Sequence, residues 1–333
     1  MSFFAVLVAL LVEQLRPLPR GNPLLRAVGA WFDWTSRNLD AGHKRHAWMV
    51  WLVAVVGPAL LASGLYLGLR SYSLLLALAF DVLVLYLTLG FRQFSHWFTE
   101  IRDALDRGDE HEARRLLAAW RGLDASELPR TAVLRHVIEH SLLAAHRHVF
   151  GVFFGFVALS ALGLGPAGAL LYRLADAAAS HWAPRLKPGE AEESEALRAL
   201  ARRLFDLIDH VPARLTAFGF AVVGNFEEAV NGWRRDAGLW LRPNEGVILA
   251  SAAGAVGVQL GGSAPPGVTP ERAAAPPPAP APTGEEDVPE PSDATPGLVP
   301  QMAHLQSMVG LVWRSVVLWL LTVALLSLAN VLG

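Results

Sequence analysis

Long charge-free blocks alternate along this chain with blocks dense in arginine, aspartate and glutamate, the rhythm of apolar helices joined by polar segments. Residues 47–69 carry no charge and at helical rise are long enough to cross a hydrocarbon core of roughly 30 Å. Trp48 and Trp51 near the start of that run suit the headgroup interface. Arg70-Ser71 makes a turn, residues 72–91 return, and residues 311–332 form a third complete span with Arg314 near its start. Met1–Leu15 is apolar as far as Glu13 but short. It lacks the basic start and cleavage site of a signal peptide, which leaves a short span or an interfacial helix.

Between the spans the pattern changes. Arg102–Trp120 and Thr131–His148 carry apolar residues at helical spacing among charges, with Gly122 and Pro129 between them. These are two amphipathic helices on the membrane face. Residues 149–172 are apolar again but interrupted by Gly163, Gly165, Pro166 and Gly168, which predicts a broken or re-entrant helix, because freed backbone groups need partners that lipid does not supply. Another amphipathic helix runs from Glu192 to His210, Pro212 opens a short apolar segment to Gly224, and Gly246–Gly262 is rich in small residues that pack closely. Residues 263–300 are proline, alanine, glycine and acid without periodicity, a disordered linker. The chain thus divides into a membrane domain (1–262), a linker (263–300) and a C-terminal transmembrane helix (301–333). The pattern leaves open whether 1–15, 149–172 and 211–224 span fully.

Arginine placement orients the spans. Arg16, Arg20, Arg26, Arg37, Lys44 and Arg45 precede the first full span, and Arg70 alone marks the next turn. Segments 16–46 and 92–148 are therefore cytoplasmic. Arg173, Arg185, Lys187, Arg198, Arg202 and Arg203 would break that rule if 149–172 crossed once, and a re-entrant segment keeps it. The fold class is all-α, a polytopic integral membrane protein with cytoplasmic amphipathic helices.

Composition narrows the chemistry. Hydrophobic residues make up 53% of the 333 and charged residues 17%, so the lipid bilayer is the first partner. The net charge of -2 gives no bulk attraction for nucleic acid, and the absence of cysteine excludes disulfides, thiolate ligands and a cysteine nucleophile. His136-Val137-Ile138-Glu139-His140 matches the H-x-x-E-H zinc-protease pattern, but two histidines on an amphipathic helix explain it as well, and no metal is assigned. His146 and His148 flank Arg147 and either bind an anion or anchor a helix end. Asp81, inside an apolar run, faces protein or water and either lines a site or bonds a neighbouring helix. Gly165-Pro166-Ala167-Gly168-Ala169 ahead of Tyr172-Arg173 offers an anion site or a helix break. Arg214 either snorkels or binds phosphate. No Walker-type phosphate loop is present.

Several of these stretches together resemble the CobD/CbiB family of membrane-bound adenosylcobinamide-phosphate synthases. Thr88-Leu89-Gly90-Phe91-Arg92 resembles a T-L-G-L-R stretch, and Gly108-Asp109 with Glu112-Ala113-Arg114-Arg115 resembles G-D-x-x-x-A-R-R. Gly165-Pro166-Ala167-Gly168-Ala169 with Tyr172-Arg173 resembles G-P-x-G-A-x-x-Y-R. Asp206 with Val211-Pro212-Ala213-Arg214-Leu215-Thr216 resembles D-L-L-N-W-L-P-A-R-L-T. Pro243-Asn244-x-Gly246 and the run from Gly254 to Gly262 resemble P-N-x-G and A-G-A-L-G-V-x-L-G-G. The order and spacing fit over roughly residues 80–262.

The resemblance implies an ATP-dependent ligase of the bacterial inner membrane, multi-pass, forming a C–N bond between the corrinoid intermediate cobyric acid and aminopropanol phosphate, with a divalent cation to balance ATP. By the same carry-over, Glu139 and Arg92 are the catalytic candidates. Arg173, Arg214, Asn244, Gly165 and Gly168 are the substrate- and phosphate-binding candidates. The chain departs from the pattern where the family has E-N-x-x-D-G and this sequence reads Ala144-Ala145-His146-Arg147-His148-Val149-Phe150-Gly151. It departs again at Leu174-Ala175-Asp176-Ala177, where the family has N-T-L-D. Glu13-Gln14-Leu15-Arg16 and Val223-Gly224-Asn225-Phe226-Glu227 are more similar to AmpE-like membrane proteins, which implies the alternative of a non-catalytic modulator of β-lactamase induction.

Overall fold

The computed structural model describes residues 2–15, 23–183, 194–262 and 294–332, without the side chains of residues 2, 91–95 and 330–332. Among them there are twelve helices: α1 (Ser2–Leu15), α2 (Pro23–Leu39), α3 (Lys44–Tyr72), α4 (Leu74–Thr88), α5 (Phe91–Asp106), α6 (Glu110–Arg121), α7 (Arg130–Ala161), α8 (Ala167–His181), α9 (Glu195–Val223), α10 (Phe226–Asp236), α11 (Pro243–Val256) and α12 (Met302–Leu332). The only β pairing among the described residues is two isolated bridges, so the all-α class holds. Helices α3, α7 and residues Met302–Ala329 of α12 are long and apolar enough to cross a membrane. The molecule is a membrane protein.

Three expectations change. Helix α4 has 15 residues, about 22 Å at helical rise, and is too short for a straight crossing of roughly 30 Å. The stretch read as an amphipathic helix (131–148) runs without a break into the first part of the expected apolar segment (149–172), as far as Ala161, in one continuous helix, α7, which supplies the third long span instead. Pro212 does not open a new segment but lies inside the 29-residue α9. The greater part of the expected linker, 263–293, lies outside the described residues.

Proline and glycine place the turns of the long helices. Pro58 has no N–H for the carbonyl of Ala54, and α3 widens into a π turn at Leu52–Val56 just before it. The indole Nε1–H of Trp31 donates to that Ala54 carbonyl at 3.3 Å, which also ties α2 to α3. Helix α7 ends where the sequence showed its break, and the chain reverses through Leu162–Pro166, with Gly163 and Gly165 at positive φ. Helix α8 then runs back antiparallel to α7. A Cβ on Gly168 would stand 1.8 Å from the Gly155 carbonyl oxygen, one on Gly151 2.0 Å from the Tyr172 ring, and one on Gly165 2.3 Å from the Tyr66 ring. The hairpin tip therefore reaches the far end of α3, while the other end of α8 returns to α2, where His181 Nε2 meets Asp33 Oδ1 at 2.8 Å.

Helix α12 packs into the common core rather than standing apart. Leu305, Met308, Leu311, Val312, Val316 and Val323 are buried in the same cluster as Ala5, Leu85, Phe153 and Phe220. The chain entering α12 is clasped to the chain leaving α11. Gln259 N–H donates to Leu298 O, Thr295 N–H to Leu260 O, and Leu298 N–H to Gly257 O, at 2.8–2.9 Å.

The hairpin packing generates a prediction. Gly168→Leu drives a side chain into backbone that has no room to retreat, and costs about 3 kcal/mol or more of stability. Gly238→Ala, where nothing lies within 4 Å of the new Cβ, leaves stability unchanged. Thermal unfolding in detergent distinguishes the two, and equal melting temperatures would refute the close-packing account.

Candidate functional site

The site grows from a second π turn, at His146–Phe150 of α7. The widened turn brings His146 against α9. Its Nε2 lies 2.7 Å from Asp209 Oδ1 and its Nδ1 lies 2.9 Å from Thr216 Oγ1. From α8, the Tyr172 hydroxyl donates to the same Asp209 oxygen at 2.7 Å. From α11, the Asn244 amide donates to Asp209 Oδ2 at 3.2 Å and to the Asp206 carbonyl at 2.8 Å. His146 and Tyr172 are each 1% exposed. Four helices thus meet on one carboxylate that burial would make costly without these donors.

Around this buried centre lies a half-exposed ring of charge. Asn244 Oδ1 accepts from Arg214 at 3.3 Å, and Arg214 also donates to the His210 carbonyl. Arg173 donates to Asp176 at 2.7 Å, one turn along α8. Arg147 pairs with Glu245 and faces Asp176 at 3.9 Å, and Arg242 donates to Glu245 at 3.0 Å. Burial pushes the Asp206 carboxyl upward. Asp209 goes the other way. Burial raises it, but the His146 charge and the hydrogen bonds from His146 and Tyr172 outweigh that and hold it below the usual carboxylate range.

The structure gathers Arg173, Arg214 and Asn244 into this one region and places the other expected residues elsewhere. Glu139 lies on α7 two turns before Arg147, where its Oε1 accepts from Gly261 N–H at 2.8 Å and its Oε2 lies 3.7 Å from His136. Arg135 Nη1 donates to the Gly261 carbonyl at 2.7 Å, so this pair of side chains anchors the clasp ahead of α12. Gly165 and Gly168 are close-packing positions of the hairpin. Arg92 belongs to α5, and its side chain lies outside the described residues. The H-x-x-E-H histidines are engaged separately, His136 by Arg121 at 3.2 Å and His140 edge-on to Trp120 at 4.4 Å. Among the described residues no group of three His, Asp or Glu is arranged to hold a metal ion.

Sequence reasoning missed Asp209, Glu245, Asp176 and Arg242, and left His146 between two readings. One signal was present. Asp209 stands where the resembled segment has asparagine, and His146 lies in the run that replaces E-N-x-x-D-G. These two departures meet at 2.7 Å and satisfy each other. The Gly108-Asp109 motif turns out to build local structure. Gly108 takes φ +77°, Asp109 caps α6 through Glu112 N–H at 3.0 Å, and Arg114 donates to the Leu128 carbonyl at 2.7 Å.

His146→Ala strands the Asp209 carboxylate and costs about 3–5 kcal/mol, whereas Thr216→Val, which removes a single neutral bond, costs about 1 kcal/mol. Chemical unfolding in detergent measures both, and equal losses would refute the central role of the pair. Because the Asp209 value is depressed on folding, its stabilisation is complete above about pH 4 and is lost as pH falls through the lower folded value. Melting temperature below pH 4 falls more steeply for the unmodified chain than for Asp209→Asn, and parallel curves would refute the assignment.

A family model described as CobD/Cbib protein matches residues 4–277. A cobalamin biosynthesis protein CobD of Stutzerimonas stutzeri (strain A1501) is 32% identical over 326 residues, covering 96% of each chain. Proteins of the same name from Chromobacterium violaceum and Mycobacterium tuberculosis (strain H37Rv) are 35% and 34% identical over 57% and 49% of this chain, and over 58% and 50% of their own. No solved structure matches. The AmpE-like alternative gains no support from these relatives.

Proposed function

This chain belongs to the CobD/Cbib family, and on that premise we propose that it serves cobalamin biosynthesis by joining a corrinoid carboxylate to the amine of aminopropanol phosphate. The observation that carries this reading is convergence. Arg173, Arg214 and Asn244 belong to three separate motifs on α8, α9 and α11, and they surround one polar centre. Both substrates are anionic, so the first task of such a site is to hold a phosphate and a carboxylate. Arginine does that well through charge-assisted, geometrically matched hydrogen bonds.

A carboxylate does not react with an amine at neutral pH until its oxygen becomes a leaving group, and ATP as co-substrate supplies that group as phosphate. The carboxylate oxygen takes the γ-phosphoryl group as ADP leaves, the amine nitrogen attacks the acyl carbon, the C–O bond breaks to release inorganic phosphate, and the surplus proton on nitrogen passes to water. Arg173 and Arg214 steady the negative charges, and Asn244, clamped by Asp209 and the Asp206 carbonyl, keeps Arg214 aimed. Among the described residues no three His, Asp or Glu side chains are grouped to hold a resident divalent cation, and Asp176 and Glu245 are paired to arginines and Asp209 to His146. No step is assigned to one here, and the nucleotide's own counter-ion accompanies it as part of the substrate.

Expression in a synthase-deleted strain that requires cobinamide is expected to restore growth on cobyric acid. Arg214→Ala and Asn244→Ala are expected to lower turnover about 10- to 100-fold, the loss of one charge-assisted hydrogen bond. Absence of rescue with the protein present in the membrane overturns the ligase reading.

A further inference from the structure

Arg147 centres a ladder of alternating charge of which the shared motifs named only Arg173. In order across α11, α7 and α8 it reads Arg242, Glu245, Arg147, Asp176, Arg173. Its two carboxylates differ in kind. The Asp176 side chain is 8% exposed and is held by Arg173 from its own helix. The Glu245 side chain is 22% exposed, and a single oxygen, Oε1, accepts from both Arg147 and Arg242. Beside it, Asn244 presents Arg214. Several arginines from different helices converging on one anionic oxygen is the way a protein grips a phosphoryl oxygen.

Charge points the same way. Along the ladder three guanidiniums, those of Arg147, Arg173 and Arg242, stand against two carboxylates, Asp176 and Glu245. The ladder is net positive even with Glu245 in place, and releasing Glu245 adds one more uncompensated positive charge for an incoming dianion.

We propose that Glu245 is an internal stand-in for phosphate, holding Arg147 and Arg242 together until the phosphate-monoester end of the amine substrate displaces it. This rests on the ligase reading and deepens it. It makes Arg147 and Arg242 phosphate-binding residues and Glu245 the group that weakens binding of stray anions. A ligand must break the Glu245 contacts before it gains its own, so only an anion able to engage both guanidiniums at once competes well.

The test uses the full chain in uncharged detergent free of anionic lipid, with inorganic phosphate as probe and calorimetry as readout. Glu245→Gln keeps the volume and removes the competing charge, and is expected to bind phosphate about tenfold more tightly than the unmodified protein. Arg242→Gln, at an exposed position, is expected to bind it about tenfold more weakly. If Glu245→Gln does not fold, Glu245→Asp, whose shorter carboxylate reaches the pair less well, is expected to show the same direction of change. Affinity in the Glu245 variant that is unchanged or weaker overturns the proposal, as does undiminished affinity in Arg242→Gln. A parallel arm adds phosphatidylglycerol in nanodiscs. Displacement of inorganic phosphate by that lipid, with the same dependence on Glu245, assigns the site to a headgroup and overturns the soluble ligand. Because the readout is binding, the two readings fail separately. A tenfold gain without rescue of the deleted strain removes the ligase and keeps the phosphate site, and rescue without the gain does the reverse.

Discussion

A carboxylate enclosed by apolar helices has to be answered by donors from more than one direction, and Asp209 is answered by His146, Tyr172 and Asn244 from α7, α8 and α11. That constraint organises the functional half of the molecule. Helix α7 widens into a π turn at His146–Phe150, where the His146 side chain meets α9. The constraint also requires α8 to approach α7 closely enough for Tyr172 to reach across. The close approach is met by Gly151, Gly155 and Gly168, whose missing side chains leave room for a ring and a backbone carbonyl. In each case the glycine's role is space rather than ligand contact.

The same centre explains how buried structure reaches the exposed rim. Asn244 uses its amide nitrogen inward, on Asp209, and its carbonyl oxygen outward, toward Arg214. One small side chain thus transmits the fixed position of the core to a guanidinium at the surface. The ladder through Arg147 performs a similar task between α8 and α11. At the other end of α7, Glu139 and Arg135 hold the Gly261 peptide from both sides, its N–H and its carbonyl. Helix α7 therefore carries two polar stations, one that closes the fold around α12 and one that meets the buried Asp209 centre on α9. The motif glutamate serves the first of these.

Much of the architecture was legible in the sequence because lipid imposes simple rules. Charge-free runs located α3 and α12, and Gly163, Gly165 and Pro166 located the reversal after α7. What misled was continuity. The charged stretch around Arg130–His140 looked like a surface helix, yet it extends without a break into the apolar stretch to Ala161, because its histidines and Glu139 are met by protein on α6 and at the clasp. The short run 72–91 looked complete, but Ser73 and Leu89 take extended backbone and bound α4 at 15 residues.

The sequence by itself determined that this is an all-α membrane protein of a recognisable family, because hydropathy and short motifs are local properties that need no partner to be read. It also named Arg173, Arg214 and Asn244, since each sits inside such a motif. Only the tertiary structure decided that Asp209 and His146 belong together, that Glu245 occupies the guanidiniums of Arg147 and Arg242, and that Glu139 binds a peptide rather than joining the arginines. The pairings of Asp209 with His146, Glu245 with Arg147 and Glu139 with Gly261 join residues 63–122 positions apart, with their elements facing one another only after the helices have packed. Electrostatic complementarity of that kind depends on distance in space and leaves no periodicity along the chain.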